Sequence, residues 1–170
     1  ATVEALDTRV RSEGGWAAVV NCSGGYAGDL AHRVGEEDRA ARMEANLLGP
    51  WRLAAAGARA MEEQGGGGRI VNVAGRAAVE VAAGQAVYQV AKAALLRLTQ
   101  VMALELRESG ITVNAVLPSI MDTPQNRRDM PDADHSRWVP TERVAAAIAW
   151  LLSPEADVVS GAAVPVYGLS

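Results

Sequence analysis

Tyr88 and Lys92 are the residues of this chain whose types and spacing most directly suggest chemistry. Lys92 is the only lysine among 170 residues; the other basic side chains are arginines, His32 and His135. Positions i and i+4 lie on one helix face about a turn apart. The run Tyr88-Gln89-Val90-Ala91-Lys92 therefore sets an ammonium beside a phenol. A nearby positive charge favours the phenolate and lowers a pKa that is otherwise about 10. A tyrosine tuned that way gives or takes a proton near neutral pH. The plainer reading of the same residues is a solvated lysine beside a packed tyrosine, because short motifs also match by chance.

The elements that must position this pair alternate between helix and strand. Residues 1–12 have helical spacing, with Val3, Leu6 and Val10 on one face. Ala17 to Asn21 reads as a short buried strand, followed by the loop Ser23-Gly24-Gly25-Tyr26-Ala27-Gly28. Residues 37–63 read as one long helix carrying Met43, Leu47, Trp51 and Met61. Gly65 to Gly68 breaks it, and Arg69 to Val73 is a strand. Residues 85–108 form the second long helix, the one holding Tyr88 and Lys92. Ile111 to Val116 is a strand, 119–138 is polar and irregular, Thr141 to Leu152 is a helix, and Ala162 to Val166 is the last strand. Short apolar strands separated by helices of about ten residues or more predict a parallel sheet covered on both faces. The pattern opens on a helix with no strand before it, as the later part of a larger doubly wound fold would.

Composition narrows the partners. The chain is most simply one domain, spanning 1–170, with 49% hydrophobic residues and room for a substantial core. A net charge of −4 argues against nucleic acid or an anionic membrane as the main partner. No apolar run approaches the roughly 20 residues needed to cross a bilayer, and no signal-peptide pattern opens the sequence. The expected location is cytoplasmic. Cys22 is the single cysteine, so an internal disulfide is impossible and no metal site is expected. His32 and His135 are expected at the surface, Arg69 and Arg76 solvated, and Trp51 and Trp150 packed in cores or interfaces. Trp138 is equally suited to a pocket wall and to packing.

Five landmarks, in order, resemble the short-chain dehydrogenase/reductase family over residues 17–168. Asn21-Cys22-Ser23-Gly24 resembles the family's NNAG segment, and Asn46 its helix asparagine. Tyr88 and Lys92 match the YxxxK pair. Asn114-Ala115-Val116-Leu117-Pro118 with Thr123 resembles the NxVxPGxxxT stretch, and Gly161 with Val164-Pro165-Val166-Tyr167-Gly168 resembles the last strand. The resemblance implies an α/β fold with a doubly wound, Rossmann-like parallel sheet, here lacking its N-terminal strands. It implies NAD or NADP as cofactor, a small-molecule substrate, and a homodimer or homotetramer paired through the two long helices. By the same resemblance Tyr88 is the proton donor. Lys92 tunes it and binds the nicotinamide ribose, and Asn46 holds a water in the proton path. Thr123 with the backbone of Pro118, Ser119 and Ile120 meets the carboxamide, and Asn21, Ser23, Gly24 and Gly25 lie along the cofactor.

The chain departs from the family pattern in three places. The glycine-rich phosphate turn that follows the first strand is missing; its backbone amides and helix N-terminus ordinarily hold the pyrophosphate. Gly65 to Gly68 precedes a strand and cannot replace it. The family's serine about 13 residues before the tyrosine is missing too, with Ala74-Gly75 in that place. Ser119 replaces the glycine after Pro118. The second departure resembles dihydropteridine reductases, a branch that also carries Ala-Gly there and shares a Gly-Gly-x-Ala-Gly turn, matched by Gly24-Gly25-Tyr26-Ala27-Gly28. That branch implies a quinonoid pterin, a conjugated imine, as substrate, with 119–138 as a lid. The competing expectation is a fragment, or a structural subunit in which Tyr88 and Lys92 are idle.

Overall fold

The computed structural model describes residues 2–169. Helix α1 (Val3–Ser12) is started by Thr2, whose Oγ1 accepts a 3.2 Å hydrogen bond from the Ala5 amide. A capping hydroxyl satisfies one of the amides that a helix start leaves unpaired. Val10 of α1 packs on the core, whereas Leu6 remains exposed. Strands β1 (Ala18–Asn21), β2 (Gly68–Val73), β3 (Ile111–Pro118) and β6 (Ala163–Val166) form a four-stranded sheet in the order β1-β2-β3-β6, parallel throughout. The fold is the α/β class expected.

Alternate residues of the central strands face opposite layers. Ile70 and Val113 are fully buried beneath α3 (Gly49–Gln64) and α4 (Ala86–Glu105), together with Ala54, Ala58, Met61 and Met102. Val71 and Val116 are buried on the other face with Val144 and Leu151 of α6 (Thr141–Leu152). All eight residues of β3 are buried. β1 differs from the expectation of burial on both sides. Only Val19 and Asn21 are buried there, because β1 forms the sheet edge and α6 packs against β2, β3 and β6 instead.

The helix expected over 37–63 is three pieces on one path. α2 (Glu36–Met43) runs into a π-helical turn at Glu44–Leu48, then α3. Pro50 gives the physical reason. It has no N–H to donate to the carbonyl of Asn46 four residues back, so the α-helical ladder fails there. The Gly49 amide bonds Glu44 instead, five residues back, which widens the turn. α3 ends at Gly65, whose φ of +72° is the left-handed conformation of a C-cap glycine.

A buried polar chain ties β1, β2 and α4 together. Asn21 Nδ2 donates to Asn72 Oδ1 at 2.7 Å and to the Pro50 carbonyl at 3.2 Å. Asn72 Nδ2 donates to Thr99 Oγ1 at 2.9 Å, and that hydroxyl donates to the Leu95 carbonyl. Buried polar groups are costly unless paired, so this chain specifies how β1, β2 and α4 sit relative to one another. The Asn21 side chain is thus tied into the scaffold through Nδ2, while its buried Oδ1 has no partner among the described residues.

The segment 119–138 is more ordered than expected. It contains β4 (Met121–Asp122), α5 (Pro124–Asp129) and a short 3₁₀ turn at His135–Arg137, and β4 pairs with β5 (Val139–Pro140). The Thr123 hydroxyl caps α5 by accepting from the Asn126 amide at 3.1 Å. Trp138 is buried and its ring lies 4.2 Å from that of His135, so packing decides its role. The Pro at the first turn and the Thr before it are the sequence signals for this helix. No helix among the described residues is long and apolar enough to cross a membrane.

Candidate active site

Tyr88 sits in the first turn of α4 and Lys92 one turn further, so both face the carboxyl ends of β1, β2 and β3. Lys92 is 4% exposed, and its Nζ donates to the Val73 carbonyl at the end of β2 at 2.9 Å. It lies 5.8 Å from the centre of the Tyr88 ring. Burial lowers the Lys92 pKa from 10.5 to about 8, opposed by the Cys22 thiol nearby. The Tyr88 pKa moves the other way from the expected depression. Burial raises it, and the neighbouring Tyr26 adds to the effect. The correction has a geometric cause: the ammonium is bonded to a backbone carbonyl, and desolvation of the phenol outweighs its influence. Tyr88 is therefore a neutral phenol at physiological pH, a state that can donate a proton.

Asn46 comes from the π-turn and is 1% exposed. Its Nδ2 donates to the Gly25 carbonyl at 3.1 Å and the Arg42 carbonyl at 3.0 Å, and its Oδ1 accepts from the Gly25 amide at 3.2 Å. The side chain brackets one residue of the glycine loop from both sides. Gly24 has a φ of +133°, and a Cβ on it would stand 2.6 Å from Asn46 Oδ1 and 3.1 Å from Lys92 Nζ. Glycine is required there by its backbone and by the residues beneath it. At Gly25 a Cβ would meet open space, and Ser23 is exposed, so the outer surface of the loop is accessible.

Gly75 settles which of Ala74 and Gly75 faces the tyrosine. Ala74 is buried in the core with Leu96, Ala115 and Leu117. A Cβ at Gly75 would stand 3.4 Å from the Tyr88 Oη and 3.7 Å from the Pro118 carbonyl. The position 13 residues before the tyrosine therefore faces its hydroxyl and carries no side chain. The stretch after β3 is partly committed to structure. The Ser119 amide donates to the Val166 carbonyl at 3.2 Å and its hydroxyl to the Tyr167 carbonyl at 2.7 Å. The Ile120 carbonyl accepts from Val139. Of the carboxamide contacts expected over Pro118 to Ile120, the Ser119 amide is already in use, which leaves the Ile120 amide and the Thr123 hydroxyl proton as donors. Arg76, expected to be solvated, lies over the Tyr167 ring at 5.1 Å and pairs with Glu80.

A family model described as enoyl-(acyl carrier protein) reductase matches residues 1–168. The chain belongs to the short-chain dehydrogenase/reductase family. It is 33% identical to the 3-oxoacyl-(acyl-carrier-protein) reductase of Vibrio cholerae, over 98% of this chain and 72% of that protein. It is 32% identical to the (3R)-3-hydroxyacyl-CoA dehydrogenase of Rattus norvegicus, over 88% of this chain and 61% of that one. Among solved structures, acetoin dehydrogenase from Enterobacter cloacae superposes with a TM-score of 0.88 at 31% identity, covering 98% of this chain and 68% of that one. The short-chain reductase chain thus spans between about three-fifths and three-quarters of these relatives' lengths.

Two features of the candidate site do not follow from the sequence. Tyr26 meets Tyr88 edge to face, with ring centroids 5.6 Å apart and planes at 85°. Arg42 and Asp29 form a largely buried ion pair at 2.8 Å that anchors the same loop. An aromatic residue inside a glycine loop was the available signal for the first. Nothing in the spacing of Asp29 and Arg42 pointed to the second.

Proposed function

We propose that this chain carries the reacting part of a NAD(P)H-dependent reductase, with Tyr88 as the proton donor to a carbonyl or conjugated imine. A bound nicotinamide would supply the hydride. The glycine loop suits a cofactor, since Gly25 opens on free space above Lys92 and Asn46. Lys92 would bond the ribose hydroxyls as an ammonium, and Thr123 with the Ile120 amide would hold the carboxamide. Asn46 would hold the loop by its side chain and a water by its carbonyl, which Pro50 leaves without its α-helical partner. Tyr88 would give its proton to the substrate oxygen or nitrogen as the adjacent carbon takes the hydride.

The observation that carries this reading is the Tyr88 hydroxyl one helical turn from a buried Lys92, beneath an open glycine loop. The relatives named for 3-oxoacyl, 3-hydroxyacyl and acetoin substrates support a carbonyl or alcohol pair. The bare Gly75 supports the dihydropteridine reductase-like alternative. A quinonoid imine is already polarised by conjugation and depends less on a hydroxyl at that position. Titration with NADH and NADPH, read by nicotinamide fluorescence, tests the proposal. Saturable binding is expected, and silence at millimolar cofactor would overturn it.

The two long helices also present a pairing surface. Trp51 on α3 and Val90, Val101 and Leu104 on α4 are exposed apolar residues on the two long helices. An apolar surface of this kind supports a homodimer or homotetramer. Light scattering is expected to give at least twice the 17.8 kDa chain mass; a monomer at micromolar concentration would remove this assignment.

A further inference from the structure

Tyr26 is the one large side chain on the glycine loop, and it is 63% exposed. Its backbone is nonetheless fixed on both sides. Before it, Asn46 brackets the amide and carbonyl of Gly25. After it, Arg42 reaches the Ala27 carbonyl at 3.4 Å and Asp29 Oδ2 at 2.8 Å. The Asp29 amide donates to the Gly84 carbonyl at 2.9 Å, and its Oδ1 accepts from the Val87 amide at 3.4 Å, in the first turn of the helix that carries Tyr88. An aromatic ring left largely in water, on a backbone held at both sides and with one edge-to-face contact to Tyr88, offers apolar area at limited further entropic cost.

The other side of the Tyr88 hydroxyl complements this ring. Gly75 faces Tyr88 Oη with a hydrogen where a side chain would stand 3.4 Å away. A small branched substrate gains nothing from a bare wall, whereas a flat one needs the clearance. Resting on the proposal that Tyr88 is the proton donor, we infer that Tyr26 is a specificity-determining residue. Its ring packs against a flat, conjugated ring substrate and orients the reducible bond toward Tyr88 Oη.

The test uses the whole chain with NAD added and biopterin as the flat probe, its affinity measured by calorimetry. Biopterin is expected to bind saturably. Tyr26→Ala is expected to weaken it about tenfold, and Tyr26→Phe to hold it within about twofold, because the ring and not the hydroxyl makes the contact. In turnover, Tyr26→Ala is expected to raise KM for the flat quinone menadione about tenfold more than for the aliphatic 2,3-butanedione, while Tyr26→Phe keeps the ratio of the two within about twofold of the unmodified chain. No biopterin binding by the unmodified chain would overturn the inference. So would an equal loss with both substrates, which is what a purely structural ring would give. Biopterin binding that depends on Tyr26 without any turnover would uphold the ring contact and refute the Tyr88 chemistry instead.

Discussion

Tyr88→Phe is expected to lower the rate of reduction by about 100-fold or more while leaving cofactor affinity and fold unchanged. A positioned general acid contributes roughly 10²- to 10⁴-fold. The substitution removes one oxygen, which lies near the open side of Gly75. The ring and its edge-to-face contact with Tyr26 remain, so packing is kept. Because burial and Tyr26 hold the Tyr88 pKa above its ordinary value, the phenol stays protonated well past neutral pH. Its own titration then does not limit activity near pH 7. Turnover by the Phe variant equal to that of the unmodified chain would eliminate Tyr88 as the donor. A variant that also lost NADH binding would indicate disruption of the loop instead.

The second large effect concerns Lys92 and appears in stability as well as activity. In the unfolded chain this lysine holds its proton to about pH 10.5, and in the fold only to about 8. Between those values the unfolded state binds more protons, so stability rises with pH across the window. Below pH 8 both states are charged and the cost of burying the ammonium is fully present; the gap corresponds to ~3 kcal/mol. Lys92→Met is expected to flatten that rise. Its urea midpoint should gain on the unmodified chain most at pH 7 and least near pH 10. Comparing the two chains at each pH removes contributions that do not involve Lys92. An offset independent of pH would mean that Lys92 is not the group responsible. In kinetics, loss of the ammonium is expected to weaken cofactor binding about tenfold or more, the size of a charge-assisted hydrogen bond. In the unmodified chain, kcat/KM is expected to fall as pH passes 8.

The two predictions depend on the sequence to different degrees. That Tyr88 and Lys92 share a helix face follows from their spacing and from the apolar pattern of residues 85–108, and α4 realises it. What the lysine does with its charge did not follow. The i, i+4 relation places it near the ring, but the Val73 carbonyl at the end of β2 takes the hydrogen bond. The expected depression of the tyrosine pKa became a rise because the surrounding strands and loop desolvate the phenol. Burial is a property of how elements pack, and spacing along one helix does not contain it.

The same division runs through the other residues. The segments 17–21, 69–73, 111–116 and 162–166 read as strands of a parallel sheet within one or two residues of the observed ends, and the long helices between them required crossovers. The interruption at Glu44–Leu48 is implicit in Pro50, but the apolar periodicity of 37–63 survives a single widened turn and reads as continuous helix. Asn21 stood in a motif beside the glycine loop, yet its side chain turns inward to Asn72, 51 positions away.

By itself, then, the sequence determined the α/β class, the short-chain dehydrogenase/reductase family and the chemical pair at its centre. These follow from local periodicity, glycine placement and five ordered motifs. Only the tertiary structure decided that Gly75 and not Ala74 faces the tyrosine, and that Asn46 clamps the glycine loop. It alone showed that Tyr26 stands beside Tyr88 with its backbone fixed on both sides. Each of these brings together residues from different elements, and the Gly75 contact depends on a turn of backbone after β2. Such contacts are set by packing and desolvation, quantities that arise only when the elements come together.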